Sequence, residues 1–362
     1  MVDLSIGTPC DPPPPEVVAA LAGSGTERGY PASIGSTAYR RAATEWLIHR
    51  LGAEVDQVAA CVGTKEFVAT TPQWMKLRRP DRDTVLYPAI SYPTYEMGAI
   101  LAGCRPVAVP TDDQWRLRLD AIDPADADRA LMLWVNSPGN PAGQLDDLSA
   151  AAAWGRERGV PVFSDECYAE FTWDGPPRSI LQAGSEGVVA VHSLSKRSNL
   201  AGVRAGFYAG DGELVTYLSE VRKHVGMMVA GPVQAAAVVA QGDQDHLEAQ
   251  RELYRARLER FAKILEAVGV GVELPAGGFY LWARAEGDVA SATDAAPDAG
   301  GTDGAGSNPA TAAWALTDRL AAEGGVLVSP GEFYGRAGSG HIRAAMVAPM
   351  ESLDLVASRL GV

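Results

Sequence analysis

The chain is poor in lysine, cysteine and histidine, and each shortage narrows what it can do. Only five lysines occur in 362 residues: Lys65, Lys76, Lys196, Lys223 and Lys263. Any lysine that does chemistry must be one of them. The four cysteines (Cys10, Cys61, Cys104, Cys167) are scattered without CxxC spacing, which argues against a disulfide framework or a zinc site. The five histidines form no HExxH or HxH pair, so a structural metal is not expected. The chain also lacks a GxGxxG fingerprint, a GxxxxGK[ST] loop, an internal repeat and a basic-then-apolar leader. No apolar run approaches the ~18 residues of a membrane span. A cytoplasmic protein is the expectation. Bases number 31 against 45 acids, a net charge of −14. That balance disfavours DNA, RNA and anionic lipid, which reward Lys and Arg.

What remains is ample apolar material: 47% of residues are hydrophobic, enough for one large core and a smaller one. Short apolar runs at 84–87, 105–109, 131–135, 161–163, 188–191 and 205–209 are bounded by Gly, Pro or Asp and read as buried parallel strands. Helical patterns, such as 39–51 and 149–159, lie between them. This rhythm predicts an α/β fold with a large, doubly wound, mainly parallel sheet. Residues 214–268 carry long helical patterns. The chain then changes to short strands at 271–274, 278–283, 326–329 and 341–345, which suits a smaller α+β domain. The expected partition is a large domain over 31–250 and a small domain from 1–30 and 251–362. Residues 286–309, low in complexity and in large apolar side chains, read as a flexible acidic loop.

Three segments carry chemistry. Ser193-Leu194-Ser195-Lys196, with Arg204 eight residues on, follows the strand at 188–191. Ligands of α/β sheets gather at such carboxyl ends. Hydroxyls and a guanidinium suit a phosphate ester, and a neighbouring lysine can form a Schiff base with an aldehyde. Pyridoxal 5′-phosphate (PLP) carries both groups. Asp165 ends the apolar run Val162-Phe163-Ser164, where a carboxylate is costly without a cation; a protonated pyridine nitrogen would be one. Tyr168 is placed to donate to the ring's phenolate oxygen. Read alone, Asp165-Glu166 also fits a magnesium-binding pair, but that needs the missing phosphate-binding loop. Asn136 to Gly143 (NSPGNPAG) makes a rigid turn that can hold the Asn140 amide against a ligand.

The order and spacing of Asn140, Asp165, Tyr168, Lys196 and Arg204 resemble the class I/II, fold-type-I PLP-dependent aminotransferases, over nearly the whole chain. The resemblance implies further roles. Gly7, in Ser5-Ile6-Gly7-Thr8-Pro9, would lie near the substrate carboxylate. Tyr30 would reach across a homodimer to the partner's cofactor phosphate, placing the active site at the interface. The amides of Thr64 and Lys65, at a helix start, would cradle the phosphate. Tyr92 would stack on the pyridine, and Arg343 would grip the substrate α-carboxylate as a fork. The stretches 192–207, 222–228, 164–168 and 331–334 further resemble actinobacterial succinyldiaminopimelate transaminases. That implies N-succinyl-LL-2,6-diaminopimelate and glutamate as amino donors, 2-oxo acids as acceptors, and a cation for the remote carboxylate, with Lys65, Arg197, Arg222 and Lys223 as candidates. Aspartate, aromatic and LL-diaminopimelate aminotransferases, and a PLP β-lyase, are the alternatives. Ala142 where the family often has Thr, a short N-terminus and the 286–309 stretch depart from the pattern.

Overall fold

The computed structural model describes residues 1–26, 28–285 and 309–362. The acidic stretch at 286–308 therefore lies outside the described residues; Pro309 opens a helix that runs to Arg319.

A seven-stranded sheet organises the larger part of the molecule. Across the sheet the strands run Gln57–Cys61, Gly206–Gly210, Val188–Ser193, Val162–Asp165, Ala130–Asn136, Thr84–Pro88 and Arg105–Val109. Only Gly206–Gly210 is antiparallel to its neighbours; the other pairings are parallel. The strands are apolar on both faces because helices cover both. Leu133, Val135 and Ala190 join one core, packed under the helices Thr37–Leu51, Leu148–Arg158 and Gly231–Gly242. Met132, Trp134 and Val189 face the opposite core, under Thr64–Arg78, Thr94–Leu101 and Gly212–His224. The alternation is the two-residue period of a strand. Helix ends follow local chemistry: Asp147 accepts from the Ala150 amide at one start, and Gly159 closes that helix at φ 60°.

The fold is thus α/β, built on a large, mainly parallel sheet covered by helices on both faces, as the strand rhythm implied. Two local expectations fail. The strand Gln57–Cys61 was not legible in QVAAC, whose alanines carry little strand preference; it is recruited by pairing with Gly206–Gly210. Residues 271–274 form no strand; Gly271 and Pro275 bracket the segment, and both weaken strand formation.

The other core gathers around an antiparallel sheet of Ser329–Pro330, His341–Ala345 and Tyr280–Arg284, with the helices Gln244–Ala267 and Met350–Leu360. The N-terminal residues serve both cores. Val2–Asp3 pairs with Val326–Leu327, whereas Val17, in the helix Pro15–Ala22, packs into the core under Gly231–Gly242.

Two features are energetically expensive. Trp115 holds φ 64°, a left-handed conformation that costs a bulky residue ~1–3 kcal/mol and persists only when surroundings enforce it. Arg222 is fully buried, its guanidinium donating to both Glu66 oxygens and lying over the Phe67 and Tyr208 rings. Arg222→Ala should lower unfolding free energy by about 3 kcal/mol, because Glu66 keeps the Val62 amide but loses its cation, and a fully buried side chain is removed from between its ring neighbours. Denaturant titration measures this; an unchanged midpoint would contradict the assignment.

Candidate active site

Three parallel strands end side by side and aim their last residues into one cleft of about 640 Å³. Asn136 and Asp165 are cross-strand neighbours at these ends, and Ser193 closes the adjacent strand. A short helical turn, Leu194–Arg197, follows at once and carries Ser195 and Lys196 into the same cleft. This is the carboxyl-end crevice where α/β sheets bind ligands.

Asp165 is buried, and burial pushes its carboxyl above the ordinary aspartate range. Oδ2 accepts from the Tyr95 hydroxyl at 2.9 Å, and Oδ1 from the Cys167 amide at 3.2 Å. Both donors are neutral, and no lysine or arginine pairs with this carboxylate among the described residues. Lys196 lies across the cleft with Nζ donating to the Gly7 carbonyl. Burial, reinforced by the positive charges of Arg343 and Arg204, lowers its ammonium to about 8. Tyr168 is buried, which holds its phenol protonated, and its oxygen shares a 2.8 Å hydrogen bond with the Tyr280 hydroxyl.

The opposite wall is built for an anion. Gly63 caps the helix Thr64–Arg78 at φ 72°. A Cβ there would overlap the Arg204 guanidinium, so only glycine lets this cation sit against the helix start. The free amides of Thr64 and Lys65, the hydroxyls of Ser193 and Ser195, and Arg204 thus converge where a helix N-terminus adds positive potential. Arg343 lies between the rings of Tyr280 (4.2 Å) and Tyr334 (4.5 Å). Its Nη1 donates to Asn140 Oδ1 at 2.8 Å, and its Nη2 to the Ser5 carbonyl. Asn140 is in turn fixed by the Asn136 side chain, which accepts from its amide at 2.8 Å.

Gly7, Thr64, Lys65, Tyr92, Asn140, Asp165, Tyr168, Ser193, Ser195, Lys196, Arg204 and Arg343 all line this cleft. Tyr30 does not; it is 98% exposed. Of the four candidate readers of a remote carboxylate, Lys65 alone lines the cleft. Arg197 is buried and donates to the Ala240 carbonyl, Arg222 is committed to Glu66, and Lys223 pairs with Glu220 on the surface. The sequence reading gave no role to Tyr95 or Tyr334, which the structure brings to the site. Tyr95 follows Tyr92 by three residues in a helix-starting stretch, the one local signal that pointed to it.

The model of the family "aminotransferase class I and II" matches residues 1–360. The chain belongs to the class I and II aminotransferases. Family members use PLP, and the site fits it: one cleft holds a phosphate cradle, an enclosed lysine and a buried carboxylate that pairs with no cation among the described residues. The aminotransferase is 39% identical over 370 residues to the 4-dedimethylamino-4-oxo-anhydrotetracycline transaminase of Streptomyces rimosus, covering 99% of this chain and 93% of that one. It is 31% identical over 376 residues to the LL-diaminopimelate aminotransferase of Aquifex aeolicus, covering 99% and 90%. Among solved structures, a Thermus thermophilus protein described as a "probable N-succinyldiaminopimelate aminotransferase" superposes with a TM-score of 0.83 at 28% identity, covering 99% and 94%.

The enclosure of Lys196 sets a pH expectation. Only the neutral amine attacks an aldehyde, and its fraction rises as pH passes the amine's pKa. Attachment of PLP to apoprotein should therefore accelerate with pH to a midpoint near 8. Stopped-flow absorbance measures it; a rate still climbing above pH 10, as for an exposed lysine, would contradict the burial argument.

Proposed function

We propose that this aminotransferase transfers the α-amino group of N-succinyl-LL-2,6-diaminopimelate to 2-oxoglutarate, working in the cytoplasm as a homodimer whose Tyr30 serves the partner's cleft. The observation that carries the reaction assignment is the convergence of Lys196, Asp165 and Arg343 in one cleft. The substrate assignment rests on the four resembling stretches, among them HSLSKRSNLAGVRAGF, and on the likeness to the Thermus thermophilus protein. Identity to the Aquifex LL-diaminopimelate enzyme favours a second reading, the unsuccinylated donor.

When bound, PLP supplies an electron sink that stabilises negative charge at the substrate's α-carbon. The chain's residues do the rest. The Lys196 amine, whose neutral fraction enclosure raises, would take the α-proton and donate it as general acid to the cofactor's aldehyde-derived carbon rather than to the substrate. Asp165, ionised against a pyridinium, keeps that ring cationic. Asn140 and the protonated Tyr168 donate to the ring oxygen, and Tyr92 covers the ring's face. The Thr64 and Lys65 amides, Ser193, Ser195 and Arg204 hold the phosphate. Arg343 receives the α-carboxylate of donor and acceptor alike, and the Gly7 backbone closes beside it. Lys65, which lines the cleft with its ammonium 5.9 Å from the Tyr92 ring centroid, is the cation for a remote carboxylate.

A panel of donors offered with 2-oxoglutarate tests the substrate. Glutamate release should give the succinylated donor a kcat/KM at least about tenfold above LL-diaminopimelate, aspartate and phenylalanine, a difference of ~1.4 kcal/mol in transition-state binding. Preference for any other donor would overturn the substrate, and release of ammonia with pyruvate would overturn transamination. Lys196→Ala should abolish turnover and the visible absorbance of bound cofactor; near wild-type turnover would contradict the proton-transfer role.

A further inference from the structure

Trp115 sits far in sequence from every residue assigned to the cleft, yet its position is enforced at a steric cost. A tight turn between the bridged residues Thr111 and Leu117 presents it. Asp112 builds that turn, its Oδ1 accepting from the Gln114 and Arg116 amides at 2.9 Å each. The turn follows the strand Arg105–Val109 of the seven-stranded sheet. Its indole reaches over to the other sheet, where His341 and Trp282 are stacked with centroids 5.0 Å apart and planes 2° apart. Trp115 stands perpendicular to both, 5.0 Å from His341 at 90° and 5.9 Å from Trp282 at 88°. Burial holds His341 neutral, lowered to about 4, so the stack is an aromatic one.

The contacts continue into the cleft. Trp282 meets Tyr334 edge-on at 6.1 Å, and Tyr334 faces the Arg343 guanidinium at 4.5 Å. Trp282 is also the direct cross-strand partner of Arg343, and His341 lies two residues before Arg343 on the same face. The Trp282 ring tip fills the spaces that Gly331 and Gly338 leave, so it seats the segment that carries Phe333 and Tyr334 at the cleft. A strained tryptophan joined to this row makes sense as a brace.

We propose that Trp115 is a positioning residue for substrate carboxylates: from the turn beside the seven-stranded sheet it clamps the Trp282–His341 stack, and through Tyr334 this holds the Arg343 fork in its binding orientation. The inference rests on the reading of Arg343 as the carboxylate grip. A loose clamp widens the angular spread of the fork, and a preorganised fork binds better than one that must be ordered on binding. Because donor and acceptor both present a carboxylate to Arg343, loosening it weakens both equally. Lys196 and Asp165 lie on other elements, so proton transfer is spared.

The test compares Trp115→Ala, Trp115→Phe and Arg343→Lys in the holoenzyme. Readouts are KM for glutamate and 2-oxoglutarate, kcat, and Kd for maleate, a dicarboxylate with no amine to react. Trp115→Ala should raise both KM values and the maleate Kd by roughly three- to tenfold, with kcat within about twofold of wild type. Trp115→Phe, which keeps a ring at the stack, should restore most of the loss. Unchanged KM and Kd, a fall confined to kcat, or no rescue by phenylalanine would overturn the proposal. If the alanine variant does not fold, Trp115→Leu keeps an apolar side chain without the ring and carries the same expectation; wild-type affinity in it overturns the proposal. Arg343→Lys separates the two readings. A large rise in KM there, with none in Trp115→Ala, sinks the brace alone, whereas wild-type KM in Arg343→Lys sinks the carboxylate grip on which it rests.

Discussion

A carboxylate buried among neutral donors is the constraint on which the site turns. Asp165 closes a central strand, so the sheet holds its backbone, while the Tyr95 hydroxyl and the Cys167 amide fix both oxygens. Such a group is stable as an anion only beside a positive charge. Among the described residues no cation pairs with it, and the cleft in front of the carboxylate is where the charge must arrive. A cofactor with a basic ring nitrogen meets that need, and the same burial that raises Asp165 makes the resulting ion pair strong. The cleft therefore selects its cofactor by leaving one charge unmatched.

Lys196 shows the same physics with the opposite sign. Enclosure raises the carboxyl and lowers the ammonium, so one low-dielectric cleft prepares an acid to be ionised by its ligand and a lysine whose neutral fraction is raised. Sheet topology makes this possible: Asn136, Asp165 and Ser193 end three adjacent parallel strands and need no long loops to meet. The helix start at Gly63 brings the phosphate cradle to the same edge.

Much of this was legible in the sequence because the informative residues lie at strand ends. A Ser-Leu-Ser-Lys run after an apolar strand, and an Asp closing another, carry their chemistry in local context. Tyr95 and Trp115 were not legible, since their partners lie far along the chain: Tyr95 is 70 residues from Asp165. Tyrosines in such stretches read as core, and only tertiary packing turns their hydroxyls toward the site. The strand Gln57–Cys61 escaped for a related reason, its alanines becoming a strand only beside Gly206–Gly210. Arg197 and Arg222 stood among four candidate readers of a remote carboxylate, and the fold commits both to interior partners.

The most direct measurement is the titration of the Asp165 carboxyl itself, by carbon-13 NMR of labelled aspartate, in apoprotein and in protein loaded with PLP. The account predicts a carboxyl that titrates above the ordinary aspartate range in apoprotein and drops below that range once the cofactor is bound. A titration unchanged by loading would show that no cation meets this carboxylate, and would contradict the reading of the site.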